Sequence, residues 1–330
     1  MTKREAVIQV LSHKEVHPVP YNLDLTDEVH KRMIGYSGDE QYLEHSGSYI
    51  ALERNESFTT LSATLFRDMF SVVWDRRQEG DFGIVADYPV KQASLDGYAF
   101  PKPDEKLIRE KCERLIKKSD MFTMYTIGFS LFERAWTLYS MEELLCAFLC
   151  EKNFVHELFD RIMDYNLAVI DIVCQYPIDC VFFGDDWGQQ RGLIMGYPLW
   201  KEFIFPQLRR MYDYVKSKGK YVAQHACGDC REVFPDLVDL GLDIYNTFQP
   251  EVYDIVDFKK RFGRYITFFG GISTQCLLPF AAPEEVKAEM RRITNILSKD
   301  GGYIIAATHA MPADIPNENV KAFLEFCQNQ

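Results

Sequence analysis

Short apolar segments alternate with longer amphipathic segments through most of the chain. The apolar segments are rich in Val, Ile, Phe and Tyr, as are strands that lie buried on both faces of a parallel sheet. They predict eight strands, at 19–23, 71–74, 121–127, 180–184, 221–227, 243–248, 265–270 and 303–308. Between most of them the apolar positions recur at helical spacing, which predicts helices at 141–149, 154–174, 198–216 and from Pro283 onward.

Eight strands that alternate with helices favour a (β/α)8 barrel, that is, an α/β TIM barrel formed by a single domain over residues 1–330. A doubly wound open sheet is the runner-up, but the chain lacks the Gly-x-Gly-x-x-Gly turn that would support it. Two segments are expected to add structure over one end of the barrel. The polar stretch 24–70 is expected to contribute extra helices, and 75–104, which contains several Gly and Pro residues, a long functional loop or a small hairpin.

Composition narrows the class of partner. The 330 residues are 47% hydrophobic and 26% charged with a net charge of −12, so nucleic acid and anionic membrane are poor candidates. No apolar run reaches the roughly 18 residues of a membrane-spanning helix, and no signal-type apolar segment follows the charged N-terminus. The nine cysteines are scattered, which predicts a reduced, cytoplasmic protein without a disulfide framework. A homodimer is left open.

In a (β/α)8 barrel the catalytic groups follow the carboxyl ends of the strands, and His225 and Cys227 end the fifth predicted strand. Side chains alternate faces along an extended chain, so these two point the same way and offer nitrogen and sulfur to a metal such as zinc. His309 follows the eighth strand and is predicted to complete a three-ligand site with one open position, the arrangement of a catalytic zinc. The alternatives are a buried His–Cys pair in the core, a His309 that only bonds a neighbouring loop, and Cys230 as the third ligand.

An acidic pair follows the fourth predicted strand. Asp185 and Asp186 are expected to support the metal, hold the substrate or act as a general base, unless one of them caps the following turn. Gln189 lies in the same loop and is expected to act with them. Other side chains that follow strands are expected to line a substrate pocket, although the first three also fit an ordinary helix core: Phe129, Glu133, Trp136, Trp187, Asn246 and Met311.

Three motifs that follow strands resemble those of the uroporphyrinogen decarboxylase superfamily: 184–190 (Gly-Asp-Asp-Trp-Gly-Gln-Gln), 225–229 (His-Ala-Cys-Gly-Asp) and 270–272 (Gly-Gly-Ile). The resemblance runs from about Met121 to the C-terminus. The decarboxylases carry an Arg-Gln-Ala-Gly-Arg type motif near the N-terminus to hold substrate carboxylates, whereas 18–24 reads Pro-Val-Pro-Tyr-Asn-Leu-Asp here. The other branch, the zinc-dependent, cobalamin-linked methyltransferases, is therefore the one that this chain resembles.

In that branch the His and Cys of a His-x-Cys-Gly motif, together with a later Cys, hold the zinc ion. The resemblance matches the first two to His225 and Cys227, and it places His309, in the stretch 308–316, where the later Cys is expected. One thiolate and two neutral imidazoles would leave the zinc with about one unit of positive charge. Such an electrophilic site suits a poor leaving group, because a Lewis acid draws charge from an ether or alcohol oxygen.

The resemblance thus implies a zinc-dependent methyltransferase that moves a methyl group from an O-methyl donor to the cobalt of a separate corrinoid protein. An aromatic methyl ether is the expected donor, because the aromatic side chains after the third strand could seat a flat ring. The corrinoid is expected to be carried by a partner, since the chain has no second domain for it. The alternatives are transfer from methyl-corrinoid to a thiol, decarboxylation of a tetrapyrrole, and a non-enzymatic corrinoid-binding accessory protein.

Overall fold

The computed structural model describes residues 1–77 and 83–330. In chain order the strands are β1 Ile50–Arg54, β2 Phe58–Thr60, β3 Leu65–Asp68, β4 Val73–Asp75, β5 Ile84–Asp87, β6 Phe122–Ile127, β7 Cys180–Gly184, β8 Gly188–Gln189, β9 Gly192–Leu193, β10 Tyr221–His225, β11 Ile244–Phe248, β12 Thr267–Ile272 and β13 Tyr303–Ala307. The helices are α1 Lys3–Leu11, α2 Asp27–Ser37, α3 Glu105–Ile116, α4 Phe132–Tyr139, α5 Met141–Cys150, α6 Lys152–Val173, α7 Tyr197–Leu199, α8 Phe205–Ser217, α9 Phe234–Asp239, α10 Ile255–Phe262, α11 Pro283–Leu297 and α12 Asn317–Gln328. A π-helical turn, Trp200–Ile204, joins α7 to α8, and 3-10 turns lie at Glu44–Ser46 and Arg231–Val233.

Six predicted strands are confirmed as β6, β7, β10, β11, β12 and β13, and each is buried along most of its length. The predicted helices are confirmed as α5, α6, α7 with α8, and α11. Helix α11 begins at Pro283, with Glu284 and Glu285 in its first turn, where negative charge interacts favourably with the helix dipole. The Glu285 carboxylate also accepts the N–H of Ala282 at 2.8 Å.

Two compact units make up the chain. The first comprises Met1–Ala51, Lys118–Thr123 and Leu242–Gln330, and the second comprises Leu52–Lys117 and Met124–Gly241. The boundaries at 51 and 123 fall within β1 and β6. Each unit has parallel strands and helices of its own, so the predicted alternation of strand and helix is found within both.

In the first unit, β12 pairs in parallel with β11 on one side and with β13 on the other. Tyr21 forms a parallel bridge to Ile305 of β13, and its carbonyl oxygen accepts the N–H of Tyr49 at 2.9 Å, just ahead of β1. The predicted strand 19–23 is therefore reduced to a single bridge. Pro18 and Pro20 explain the difference, because two residues without N–H groups cannot maintain a continuous ladder.

In the second unit, β7 lies between β6 and β10 and is parallel to both. Cys180 pairs with Met124 of β6 and with Tyr221 of β10, and the last pair on the β10 side is Gly184 with His225. The three strands therefore end at one level. The segments that follow them, 128–131, 185–187 and 226–229, leave the sheet at the same edge.

The predicted barrel strand at 71–74 is wrong. The structure places β4 in an antiparallel sheet of four strands, in the order β2-β3-β4-β5. The strand beside β6 is instead β1, as the hydrogen bond from the N–H of Asn55 to the carbonyl of Thr126 at 2.7 Å shows. The sequence Ile-Ala-Leu-Glu-Arg of β1 ends on two charged residues, so it does not form the continuous apolar run that marks a buried parallel strand.

The two added segments differ in how far they match the predictions. The stretch 24–70 was predicted to hold extra helices, but besides α2 it contains β1, β2 and β3. Within 75–104, β5 pairs with β4, as the predicted hairpin requires, and residues 78–82 of this segment lie outside the described part of the chain. No helix among the described residues has the length and hydrophobicity needed to cross a bilayer.

Candidate metal centre

Three potential metal donors lie together at the carboxyl ends of β7 and β10. The Nε2 atom of His225 is 3.3 Å from Sγ of Cys227 and 3.5 Å from Oδ1 of Asp186. The backbone N–H of Cys227 donates to the same Oδ1 at 2.8 Å. The donor atoms all lie within 4.8 Å of one another, and no other set of three His, Cys, Asp or Glu side chains in residues 1–77 and 83–330 is so grouped.

Two glycines bring the loops after β7 and β10 into contact. Gly228 has φ +77°, a left-handed conformation that a side chain would strain, and a Cβ atom there would lie 2.4 Å from the carbonyl carbon of Gly188. A Cβ atom on Gly188 would lie 2.6 Å from the carbonyl oxygen of Cys227. The N–H of Asp185 also donates to the carbonyl of His225 at 3.0 Å. This close approach places the carboxylate of one loop beside the thiol of the other.

Asp185 and Asp186 are adjacent in sequence but have different surroundings. Asp185 is fully buried, and its carboxylate accepts the three backbone N–H groups that open α4, at 2.8 to 3.3 Å. It also accepts the indole N–H of Trp187 at 2.5 Å. Burial raises the pKa of Asp185 to about 6, while these hydrogen bonds favour the anion. Asp185 therefore anchors the first turn of the helix that follows the neighbouring strand, rather than the turn after its own strand.

Glu133 lies in the first turn of α4. It is close to the donor group, that is, the three potential metal ligands Asp186, His225 and Cys227. Its pKa is raised well above the usual value, first because burial disfavours the carboxylate and then because Asp186 and Asp185 repel a further negative charge. The backbone N–H of Asp186 and the guanidinium of Arg134 act in the opposite direction. Glu133 therefore holds its proton more strongly than an exposed glutamate does.

The donor group has the chemistry of a zinc site. Imidazole nitrogen, thiolate sulfur and carboxylate oxygen are the protein ligands that zinc takes. Burial raises the pKa of Cys227, and the neighbouring Asp186 carboxylate raises it further by charge repulsion. A divalent cation would reverse that effect, because it stabilises the thiolate that binds it. His225, Cys227 and Asp186 therefore fit the metal predicted from the sequence.

The two residues considered for the third ligand differ in position. His309 follows β13 in the first unit, and its side chain is exposed. Cys230 lies in the second unit, where it is fully buried and its thiol donates to the carbonyl oxygen of Cys227 at 3.7 Å. Neither belongs to the donor group found in the described part of the chain. Asp186 belongs to it, and the signal for this was its place two residues past a buried strand; His309 as a ligand stays a prediction.

Aromatic side chains from three segments meet beside the start of α4. The ring centroid of Phe129 lies 5.5 Å from that of Trp74 and 6.4 Å from that of Trp136. Phe129 has φ +49°, a left-handed conformation that is uncommon for a bulky residue and occurs often near functional sites. Phe129 and Trp136 keep part of their surface accessible, as a pocket lining requires. Trp74 was predicted only as the last residue of a barrel strand, and its place beside Phe129 was not predicted because β4 belongs to the antiparallel sheet.

The other predicted pocket residues have varied surroundings. Trp187 is fully buried, with its ring packed edge-on against Trp200 at 5.6 Å. Met311, in the first unit, is also fully buried. Asn246 of the same unit is partly exposed, and its side-chain amide donates to a carbonyl of β12 at 2.9 Å. Gln189 is exposed. Full burial gives Trp187 and Met311 places in the packed core.

The chain matches a known family over nearly its whole length. A family model described as uroporphyrinogen decarboxylase (URO-D) aligns with residues 2–330. The uroporphyrinogen decarboxylase of Picosynechococcus is 27% identical over 191 residues, which cover 54% of this chain and 49% of that protein. That of Methylococcus capsulatus is 24% identical over 247 residues, which cover 71% and 67%. For the first relatives, including that of Psychromonas ingrahamii at 22% identity, the chain spans about half the length of the curated protein.

Among solved structures, a methyltransferase from Methanosarcina mazei has the same fold. The two superpose with a TM-score of 0.75, covering 100% of this chain and 99% of the other, at 14% sequence identity. At that identity the likeness concerns the fold, and it confirms the α/β barrel class predicted from the sequence.

Proposed function

The chain belongs to the uroporphyrinogen decarboxylase (URO-D) family, and we propose that within it this protein is a zinc-dependent methyltransferase. The methyl group passes from an O-methyl donor, an aromatic methyl ether, to the cobalt of a separate corrinoid protein. The observation that carries this proposal is the group of Asp186, His225 and Cys227 at the carboxyl ends of two neighbouring parallel strands. That is the edge at which enzymes with this fold have their active sites.

Asp186, His225 and Cys227 would hold the zinc ion and leave its fourth position to the substrate oxygen, and His309, the third ligand predicted from the sequence, is the alternative to Asp186. Zinc bound there would supply Lewis-acid activation of the substrate oxygen. The chain contributes the position of the donors. The contact between Gly188 and Gly228 fixes one loop against the other, so the donor atoms are grouped before a metal binds.

Methyl transfer from an ether leaves a charged oxygen behind. Passing the methyl group to the partner's corrinoid would break the carbon–oxygen bond and leave its electron pair on the departing oxygen, which would then need a proton. We assign delivery of that proton to Glu133, whose carboxyl group lies beside Asp186. An acid in this place has a use in ether cleavage, because the leaving group is an oxygen.

The aromatic side chains after β6 support an aromatic methyl ether as the source of the methyl group. Phe129 and Trp136 are partly accessible, and together they offer apolar surface against which a flat ring can lie. Strand β6 is the immediate neighbour of β7 in the sheet. The aromatic surface and the donor group therefore follow the same edge of the parallel strands.

A second candidate is methyl transfer from methyl-cobalt to a thiol, and the charge of the donor group favours it. One thiolate, one carboxylate and one neutral imidazole would balance the two charges of the zinc ion. The set predicted from the sequence, with His309 and without Asp186, would leave about one positive charge on the metal. Because the neutral site suits a thiolate nucleophile, the preference for an ether donor rests on Glu133 and the aromatic surface.

Decarboxylation, the activity for which the curated relatives are named, requires groups that bind substrate carboxylates. Residues 18–24 contain no arginine, and within this stretch Tyr21 and Asn22 are buried. The backbone of this stretch is bonded to β13. Residues 18–24 therefore do not provide positively charged side chains that would bind a polycarboxylate substrate.

A cobalt-spectrum assay tests the proposal. Zinc-loaded protein is mixed either with reduced cobalamin and a methoxyarene or with methylcobalamin and a thiol. We expect the ether to convert reduced cobalt to methyl-cobalt, and we expect Cys227→Ala to abolish the reaction while Cys230→Ala retains it. Demethylation of methylcobalamin by the thiol, with no reaction of any ether, would select the second candidate.

Two further outcomes would overturn both candidates. Consumption of a porphyrinogen in the absence of any corrinoid would identify a decarboxylase. Binding of cobalamin without turnover of an ether, a thiol or a porphyrinogen would identify a non-enzymatic accessory protein.

A further inference from the structure

We propose that Glu56 forms the far end of the substrate cleft and binds a hydroxyl group of the methyl donor. This rests on the proposed function and narrows the donor to an aromatic ether that carries a hydroxyl group, with its two oxygen atoms on opposite sides of the ring. Glu56 comes two residues after β1, and the N–H of Asn55 beside it donates to Thr126 of β6. It therefore belongs to the same edge of parallel strands as the donor group.

A floor without side chains separates Glu56 from His225. The registers of the parallel strands place Gly128, Gly184 and His225 side by side at the ends of β6, β7 and β10. A Cβ atom on Gly184 would lie 3.4 Å from the Cα atom of Gly128. Since neighbouring strands are about 4.8 Å apart, the row from Gly128 to His225 spans roughly 10 Å. In the proposed complex the aromatic ring lies over Gly184, in the middle of this row.

The carboxyl group of Glu56 lies at the edge of this floor. A Cβ atom on Gly128 would come within 2.9 Å of Oε1 of Glu56, so the carboxyl occupies space that a side chain at 128 would need. The side chain of Glu56 is partly exposed, and none of the described residues donates a hydrogen bond to its carboxyl group. A partly desolvated carboxylate is an acceptor that a hydroxyl group of a ligand can satisfy.

Two of the positively charged side chains near Glu56 bind other groups. Arg134 pairs with Asp68 at 2.6 Å, and Nζ of Lys111 donates to the backbone carbonyls of Arg54 and Glu56 at 2.5 and 2.8 Å. Burial raises the pKa of Glu56, and the charges of Arg54, Lys111 and Arg134 act against the shift. These cations favour the charged carboxylate of Glu56, which can accept a hydrogen bond from a ligand.

The groups at the two ends of this row determine which oxygen substituents the aromatic ligand carries. At one end the metal donors face the ether oxygen that loses the methyl group. At the other end the Glu56 carboxyl accepts a hydroxyl hydrogen, and the glycines between them leave room for the ring. Phe129 directly follows Gly128 and offers its face to the same ring. A para-methoxyphenol satisfies all these contacts, whereas a para-dimethoxybenzene lacks the hydroxyl hydrogen.

Calorimetry with the zinc-loaded protein tests the role of Glu56 without any corrinoid. The probes are para-methoxyphenol and para-dimethoxybenzene. We expect the wild-type protein to bind the phenol at least about tenfold more tightly, as a hydrogen bond to a charged acceptor implies. We expect Glu56→Leu to remove that preference. Glu53→Leu is the matched control, because Glu53 lies three positions earlier and pairs with Arg114 at 2.7 Å.

Gly128→Ala is an independent test if Glu56→Leu folds poorly, because the added Cβ atom displaces the carboxyl group without removing it. We expect the phenol preference to fall in this variant as well. A preference that persists in Glu56→Leu or Gly128→Ala at wild-type zinc content would overturn the assignment, as would equal binding of both probes by the wild type. Intact phenol preference without methylation of cobalt would refute the proposed function alone, and methylation from both ethers at equal kcat/KM would refute the role of Glu56 alone.

Discussion

Asp185 and Asp186 differ by one position in the chain, yet the fold gives their carboxylates different surroundings. Asp185 is fully buried and saturated with N–H donors, whereas the Asp186 side chain retains 35% of its exposure and lies 3.5 Å from the imidazole of His225. The first arrangement suits a structural anchor, and the second suits a ligand or substrate contact. Two residues of the same type can therefore be assigned different roles on physical grounds.

Removal of single donors should lower the amount of bound zinc. We expect His225→Ala, Cys227→Ala and Asp186→Ala each to retain well below one zinc ion per chain after dialysis, because each variant loses one contact to the metal. Metal analysis by emission spectrometry is the measurement. Full zinc content in Asp186→Ala, together with loss in His309→Ala, would restore the ligand set predicted from the sequence, and loss in Cys230→Ala would identify that thiol as a ligand.

The two acids should also differ in their effect on folding. Asp185→Ala leaves three backbone N–H groups and an indole N–H without their acceptor in a buried place, so we expect the free energy of unfolding to fall by about 2–5 kcal/mol. Asp186→Ala should lower it by less than about 1 kcal/mol, because the side chain is partly exposed. Urea unfolding of the metal-free proteins measures both. Equal losses would show that Asp186 is structural too.

The sequence identified the residue types of the site better than their grouping. His225 and Cys227 were predicted as a pair from strand alternation, and the structure places Nε2 and Sγ 3.3 Å apart. The separate role of Asp185 was not predictable, because its N–H donors come from a helix more than fifty positions earlier. The role proposed for Glu56 had no local signal in the sequence, since it depends on the closeness of its carboxyl group to Gly128.

At the scale of elements, the contact between the loops after β7 and β10 positions the site. Gly228→Ala should weaken zinc binding by roughly 10–100-fold, the usual effect of disturbing the groups that orient ligands. The added Cβ atom would lie 2.4 Å from the carbonyl carbon of Gly188 and would push Cys227 away from Asp186. Competition with a chromophoric chelator measures the zinc affinity.

Gly219→Ala is the control for this variant. Gly219 has φ +71°, close to the +77° of Gly228, but a Cβ atom there would meet nothing within 4 Å. Both variants should lose stability through backbone strain, at about 1 kcal/mol or more. Only Gly228→Ala should also lose zinc affinity; a parallel loss in Gly219→Ala would mean that strain alone, and not loop contact, governs the site.

The elements after residue 121 were more predictable than those before it. Strands such as β7 and β13 are buried on both faces, and this burial produces the continuous apolar runs by which they were recognised. The antiparallel strands β2 and β5 keep exposed positions, so their sequences resemble loops. The sequence also did not show that pairing at 19–23 is limited to one bridge, because that bridge joins Tyr21 to the distant strand β13.

At the scale of the whole molecule, one lysine links stability to pH. Lys259 lies in α10, and its Nζ donates to the carbonyl oxygen of Gly301 at 2.5 Å, just ahead of β13. Burial lowers the pKa of Lys259 to about 8, although Asp300 and Glu15 favour its charged form. An unfolded chain restores this lysine to the ordinary pKa of about 10.4. Below about pH 8 the folded protein therefore has to bury a charged Lys259, and this charge penalty lowers the free energy of unfolding.

This penalty should disappear as the pH rises from about 8 to about 10. In that window the unfolded chain keeps a proton on Lys259 that the folded chain has released, so the free energy of unfolding increases with pH. Lys259→Met removes the effect. We expect the unfolding free energy of the wild type, minus that of Lys259→Met, to rise across urea titrations at pH 7, 8, 9 and 10. The same difference taken with Lys260→Met, a change at an exposed neighbour in the same helix, should stay flat. A flat difference for both variants would mean that Lys259 keeps its ordinary pKa and that its burial places no charge penalty on folding.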